Sequence, residues 1–127
     1  MDVFCHVNDK TKKDSIRALC RDLGCGFHEF GPEAADLTVL EIVSENRAAA
    51  SPLPVFMSLP DLILFSSIEE GLFDSFLAEY RKRRIEKTDL KAVVTPYNLR
   101  WKLKDLAREL RREHELMTGS HNETQEK

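Results

Sequence analysis

The pattern that most constrains this chain is a strand-then-helix order that runs twice in one register. "GFHEF", residues 26–30, stops at Gly31-Pro32, and "LTVLEIVSE" then opens a helical repeat; "LKAVV", residues 90–94, stops at Thr95-Pro96, and "LRWKLKDLARELRREHEL" opens another. With an offset of 64, Pro32 meets Pro96, Phe30 meets Val94, Leu37 meets Trp101, Glu41 meets Asp105, Ile42 meets Leu106 and Glu45 meets Glu109. Each half thus has a strand closed by proline, which cannot continue a ladder. Each also has a bulky apolar residue five positions ahead of the one it can pin across the first helical turn. An internal duplication is the reading that follows.

The remaining elements fill in around that repeat. "DVFCHV", Asp2 to Val7, is short, apolar and β-leaning. From Thr11 to Leu23, Ile16, Leu19, Cys20 and Leu23 recur at helical spacing, and Gly24 and Gly26 end the run. "GFHEF" alternates polar and apolar residues, which predicts a strand with one wet face near a sheet edge, whereas "DLILF", Asp61 to Phe65, is apolar on both faces and predicts a central strand. Thr38 with Glu41, and Ser67 with Glu70, have the spacing of capping boxes; helices are expected over about Val39 to Ala49 and over the stripe Leu72, Phe73, Phe76, Leu77 and Tyr80. Ser51 to Pro60, with three prolines, reads as a covering loop that supplies Leu53, Phe56 and Met57 to the core. In the last helix Leu103, Leu106 and Leu110 face inward, and Leu116 or Met117 continues the stripe.

The expected fold is therefore α/β, a four-stranded and at least partly parallel sheet with four helices in duplicated βαβα halves. One domain is predicted over residues 1–117, with pseudo-repeats at about 1–50 and 60–117, and residues 118–127 ("TGSHNETQEK") read as a disordered tail. Trp101, the single tryptophan, falls just before the cap of the last helix. There its indole can pack on Leu106 and set the angle at which the chain meets the helix.

Charge and cysteine content narrow the functional classes. The net charge of −3 conceals a basic stretch: between Arg81 and Arg112 there are twelve Lys or Arg against four acids. No apolar run reaches the roughly 18 residues of a membrane span, and Asp2 stands where a signal peptide carries bases. Three cysteines without a C-x-x-C pair fit reduced thiols. The expected setting is the cytoplasm, with no membrane.

The stretch "LKAVVTPYNLRWKLKDLARELRREHELM", with the preceding "DLILFSSIEEGLFDSFLAEY", resembles the family called domain of unknown function 3783. Its members end in a strand, a Thr-Pro turn, an Asn, a Trp and a helix rich in Leu and Glu. The resemblance covers the C-terminal half and rests on Thr95, Pro96, Asn98, Trp101, Leu103 and Leu106. Lys102 stands where the family is expected to carry Thr, which removes a side-chain cap. The resemblance implies no activity.

The candidate site is the start of the last helix. Its first amides carry partial positive charge, and Arg100, Lys102 and Lys104 add cations where the helix dipole disfavours them. With Asn98 as a further donor, an anion or an acidic partner would relieve the clash. Nucleic acid is a weaker fit, since no RNP, KH or helix-turn-helix pattern accompanies the bases. Cys5-His6 and Cys25-x-x-His28 have metal-ligand types, yet neighbours on a strand point to opposite faces, so no metal and no cofactor are expected. Ser66-Ser67 follows the central strand without a nucleophile elbow or glycine-rich loop, and His114 and His121 lie in or beyond the end of the last helix. The leading expectation is a non-catalytic binding or regulatory module that works through an unknown protein partner or as a homo-oligomer. An anion or nucleic-acid binder comes second and a small enzyme third.

Overall fold

The computed structural model describes residues 1–44 and 59–126, with side chains as far as Met117. Four strands form one sheet: β1 (Asp2–His6), β2 (Gly26–Glu29), β3 (Leu62–Ser66) and β4 (Leu90–Val93), in the order β2-β1-β3-β4. β1 pairs parallel with β2, and β3 parallel with β4, while β1 and β3 meet antiparallel with Phe4 opposite Leu64. The molecule is thus two parallel crossover units joined back to back. β3 is buried from Leu62 to Phe65, as a strand covered on both faces should be, and the edge strands β2 and β4 are the wetter ones.

Helices cover both faces. α1 (Lys10–Leu23) and α3 (Glu70–Lys82) bury Ile16, Leu19, Cys20 and Phe76 against Val3, Cys5, Ile63 and Phe65. On the other face α2 (Val39–Val43) and α4 (Leu103–Glu126) enclose Phe4, Leu62, Leu64 and Leu90 with Leu37, Ile42, Leu103 and Leu106. α1 starts at Asp9, whose carboxylate accepts the Lys12 amide, and ends at Gly24, which adopts φ 77°, a conformation that costs glycine nothing.

The start of α2 is built as its sequence indicates. Thr38 Oγ1 accepts the Glu41 amide at 3.2 Å and Glu41 Oε1 accepts the Thr38 amide at 2.9 Å. α2 is described to Val43, and the rest of the expected helix and nearly all of the proline-bearing loop, with Leu53, Phe56 and Met57, lie outside the described residues.

Two local expectations differ from what is found. Ser67 adopts φ 55°, and α3 is capped by Glu69 without a side-chain bond, so the Ser67–Glu70 box does not form. The turn out of β3 takes Ser67 into the left-handed region, which the spacing of two residues cannot reveal. Leu116 and Met117 do not extend the inward stripe: they are 58% and 71% exposed. α4 is described as far as Glu126.

Candidate functional site

The turn that leads into α4 is held by Asn98. Its side-chain oxygen accepts the Thr95 amide at 2.9 Å, its side-chain nitrogen donates to the Val93 carbonyl at 3.0 Å, and its own amide bonds to Thr95. The Asn98 side chain is therefore engaged within the turn. Pro96 fixes φ at the first corner, and Trp101, half-buried, packs on the cluster containing Leu103 and Leu106 while its amide donates to the Asn98 carbonyl at 3.1 Å. The residues that carry the family resemblance are in this way the ones that shape the turn and seat the helix.

The first amides of α4 are occupied as well. Leu103 N donates to the Leu37 carbonyl at 2.8 Å and Lys104 N to the Ala35 carbonyl at 2.9 Å, while Asp105 and Leu106 bond back to Lys102. The first two bonds have reciprocal partners, Val39 N to the Trp101 carbonyl and Leu40 N to the Leu99 carbonyl, both 2.9 Å. Thr38 and Lys102 pair across the centre of this exchange. Every donor and acceptor in one set matches the other at the offset of 64 that the sequence suggests. An anion at this helix start would find no free amide, since each threshold completes the other.

The cations are accordingly distributed. Lys104 Nζ contacts Asp36 Oδ1 at 2.8 Å, a bond that raises the lysine pKa and lowers that of the aspartate. Arg100 and Lys102 are exposed and form no ion pair among the described residues. Adjacent to them in sequence is an aromatic pair, of which sequence reasoning singled out only Trp101. Tyr97, 81% exposed, lies with its ring 5.9 Å from that of Trp101. Leu40, 49% exposed, is tied by its amide to the Leu99 carbonyl beside them. Only the proximity to Pro96, which forces the chain through an open turn, hints from sequence that Tyr97 is left outside.

The other candidates are not brought together. Cys5 faces α1, with its thiol pushed up to about 12 by burial, while the His6 ring nitrogens lie 3.2 and 3.1 Å from the carbonyls of Phe30 and Leu59 on the other side. His28 stacks on Phe4 and meets Asp2 Oδ1 at 3.2 Å. Among the described residues no group of three metal-ligating side chains converges. Ser66 and Ser67 have no hydrogen-bonded histidine among the described residues, and His114 is 3.7 Å from Asp89.

Sequence reasoning passed over one buried polar centre. Lys12 is 4% exposed, and its ammonium donates to Asp61 Oδ2 at 2.9 Å and to the Lys87 carbonyl at 3.1 Å. Asp61 also accepts the Asn8 amide and side chain, both at 2.9 Å. Burial disfavours its charge, but the bonds from Lys12 and Asn8 outweigh that and lower its pKa. Lys12 lies four residues before Ile16 on the apolar stripe of α1, and that misplaced charge was the available signal.

Fold and site together define a two-unit α/β module whose exposed feature is an aromatic pair flanked by cations. The model of the family Domain of unknown function (DUF3783) matches residues 61–117, from the residue before β3 into α4. Neither a curated protein nor a solved structure matches the chain. No helix among the described residues is long and apolar enough to cross a membrane.

Proposed function

We propose that this protein is a non-catalytic binding module that engages a partner protein through the turn before α4. The observation that carries this reading is Tyr97, 81% exposed yet tilted against a Trp101 whose backbone is pinned from both sides. Rigid aromatic anchors lose little entropy on binding, and Tyr, Trp and Arg dominate interface hot spots. Arg100 and Lys102 beside them favour an acidic segment with an apolar side chain. The basic start of α4 thus contributes side chains to the surface, while Asn98 and Lys104 support it from within.

The same reading places the module in a reducing compartment such as the cytoplasm, where its three buried thiols stay free. It also takes the halves as copies of one ancestral βαβα unit, supported by the reciprocal bonds at one offset.

Selection of displayed random peptides against the folded protein tests the proposal, with the Tyr97→Ala/Arg100→Glu variant as counter-target. Selected peptides should combine acids with Leu or an aromatic residue and lose about tenfold or more in affinity for the variant. Peptides that bind both proteins equally, or no enrichment at all, would overturn it.

A further inference from the structure

The second crossover unit holds a cavity beside α3. It measures about 370 Å³ and lies between α3, β4 and the segment that joins them. Its floor is apolar, from Phe76, Leu77 and Ile85, and its rim is cationic, from Arg81, Lys87 and Lys91. Arg81 and Lys91 have no ion pair among the described residues, and Lys87 meets Asp89 only at 4.0 Å on the surface.

A four-residue insertion borders the cavity and contributes Lys87 to its lining. α1 and α3 end alike: Cys25 N donates to the Cys20 carbonyl and Ile85 N to the Tyr80 carbonyl, with Gly24 and Arg84 at matching positive φ of 77° and 56°. Cys25 then passes straight into β2, whereas Glu86 to Asp89 intervene before β4. That insertion is firmly held. The Tyr80 hydroxyl donates to the Glu86 carbonyl and bonds to Thr88 Oγ1, and Lys12 donates to the Lys87 carbonyl. Lys12 and Thr88, the buried polar residues among those described, both serve this wall. Buried polar groups are costly unless satisfied, so their use here makes a cavity that is present before any ligand arrives.

Strand position completes the shape. On this face β2 presents Phe27, covered by the Arg17 guanidinium at 5.2 Å, and Glu29, paired with Lys13 and Arg17. At the matching places in the second unit the helix offers Leu77 and the strand offers Lys91 and Val93. The exchange of apolar and cationic groups leaves space at the place that Phe27 and Arg17 occupy in the first unit.

From this geometry we infer that the cavity binds a small amphipathic anion, an apolar body ending in a carboxylate. A volume of 370 Å³ lies near the low end of ligand pockets and has room for about twelve water-sized groups. Inorganic phosphate would satisfy the rim and leave the floor bare; a plain hydrocarbon would do the reverse. A medium-chain carboxylate satisfies both.

Amide-resolved NMR titration of the intact protein with decanoate tests this. Saturable shifts confined to residues 76–91 are expected, with a dissociation constant below about 1 mM. Decanol should bind about tenfold more weakly, and the Arg81→Glu/Lys91→Glu variant should lose about tenfold for decanoate while keeping its affinity for decanol and a folded spectrum. Tyr97→Ala should bind decanoate as the native protein does, which separates this site from the proposed partner surface. The inference fails if shifts scatter over the surface, if decanol matches decanoate, or if the charge-reversed variant still binds. It also fails if the protein sediments with anionic phospholipid vesicles yet ignores free decanoate, an outcome that would assign the rim to a lipid surface.

Discussion

The two crossover units share an order of elements and differ in how they close. The first turns from α1 into β2 through a glycine, fills its outer face with Phe27 under Arg17, and caps its following helix with Thr38. The second makes the same helix end with Arg84, inserts Glu86 to Asp89, leaves a cavity beside Lys91, and starts α4 on Lys102 without the threonine cap. Each departure lowers local stability by a physical argument, and together they surround open space. The comparison teaches that beside its first helix the first unit is closed by Phe27 and Arg17, while the second keeps room there at its own expense.

Substitutions at these points test the contrast, and the largest effect belongs to Lys12. Lys12→Met removes the ammonium from Asp61 and from the wall of the second unit, and should cost about 3 kcal/mol in urea unfolding. Hydrogen exchange should quicken at residues 83–89 if the wall depends on it. The pH dependence has a definite sign. Asp61 titrates lower in the folded protein than in the unfolded chain, so its contribution is present above the ordinary carboxylate pKa and fades as pH falls through the depressed one. The gap between native protein and variant should narrow below about pH 4. A constant gap down to pH 2 would show that Lys12 stabilises mainly by packing.

Tyr80→Phe comes next. It deprives the Glu86 carbonyl and the Thr88 hydroxyl of their partner, for a loss of about 1.5 kcal/mol, and calorimetry would register it. The equivalent position in the first unit is Cys20, where no such bond exists to lose. Thr38→Ala should cost about 1 kcal/mol, and Lys102→Thr should return about half of that by giving α4 the cap α2 already has. If Lys102→Thr destabilises, the two thresholds are less alike than their reciprocal bonds indicate. Smallest is Arg84→Gly, expected to gain about 0.5 kcal/mol by relieving a left-handed backbone, partly offset by a more flexible unfolded chain. A thermal melt decides its sign.

Much of this architecture was legible because it is local. Capping at Thr38 and Glu41 needs three residues' spacing, and the central placement of β3 needs only apolar residues on both faces. The edge position of β2 follows from alternation in "GFHEF". What escaped depends on contacts between distant segments. Lys12 and Asp61 are 49 residues apart, and the misplaced charge on the apolar stripe of α1 does not say which acid answers it. The site at α4 was half legible: the surplus of cations there is real, but the amides that seemed to invite an anion are answered by Leu37 and Ala35. Ser67 looked like a cap by spacing, and a single backbone angle removed it.

The exchange of amides between Ala35–Leu40 and Leu99–Lys104 makes each half a chaperone for the other's helix. A polypeptide cut down to the second half would be left with two widowed amides and the naked flank of β3. Both wounds are self-complementary, because the missing half presents the same lock in the same handedness. Two such fragments would heal by clasping one another, so severing the chain between its halves trades one folded molecule for a pair.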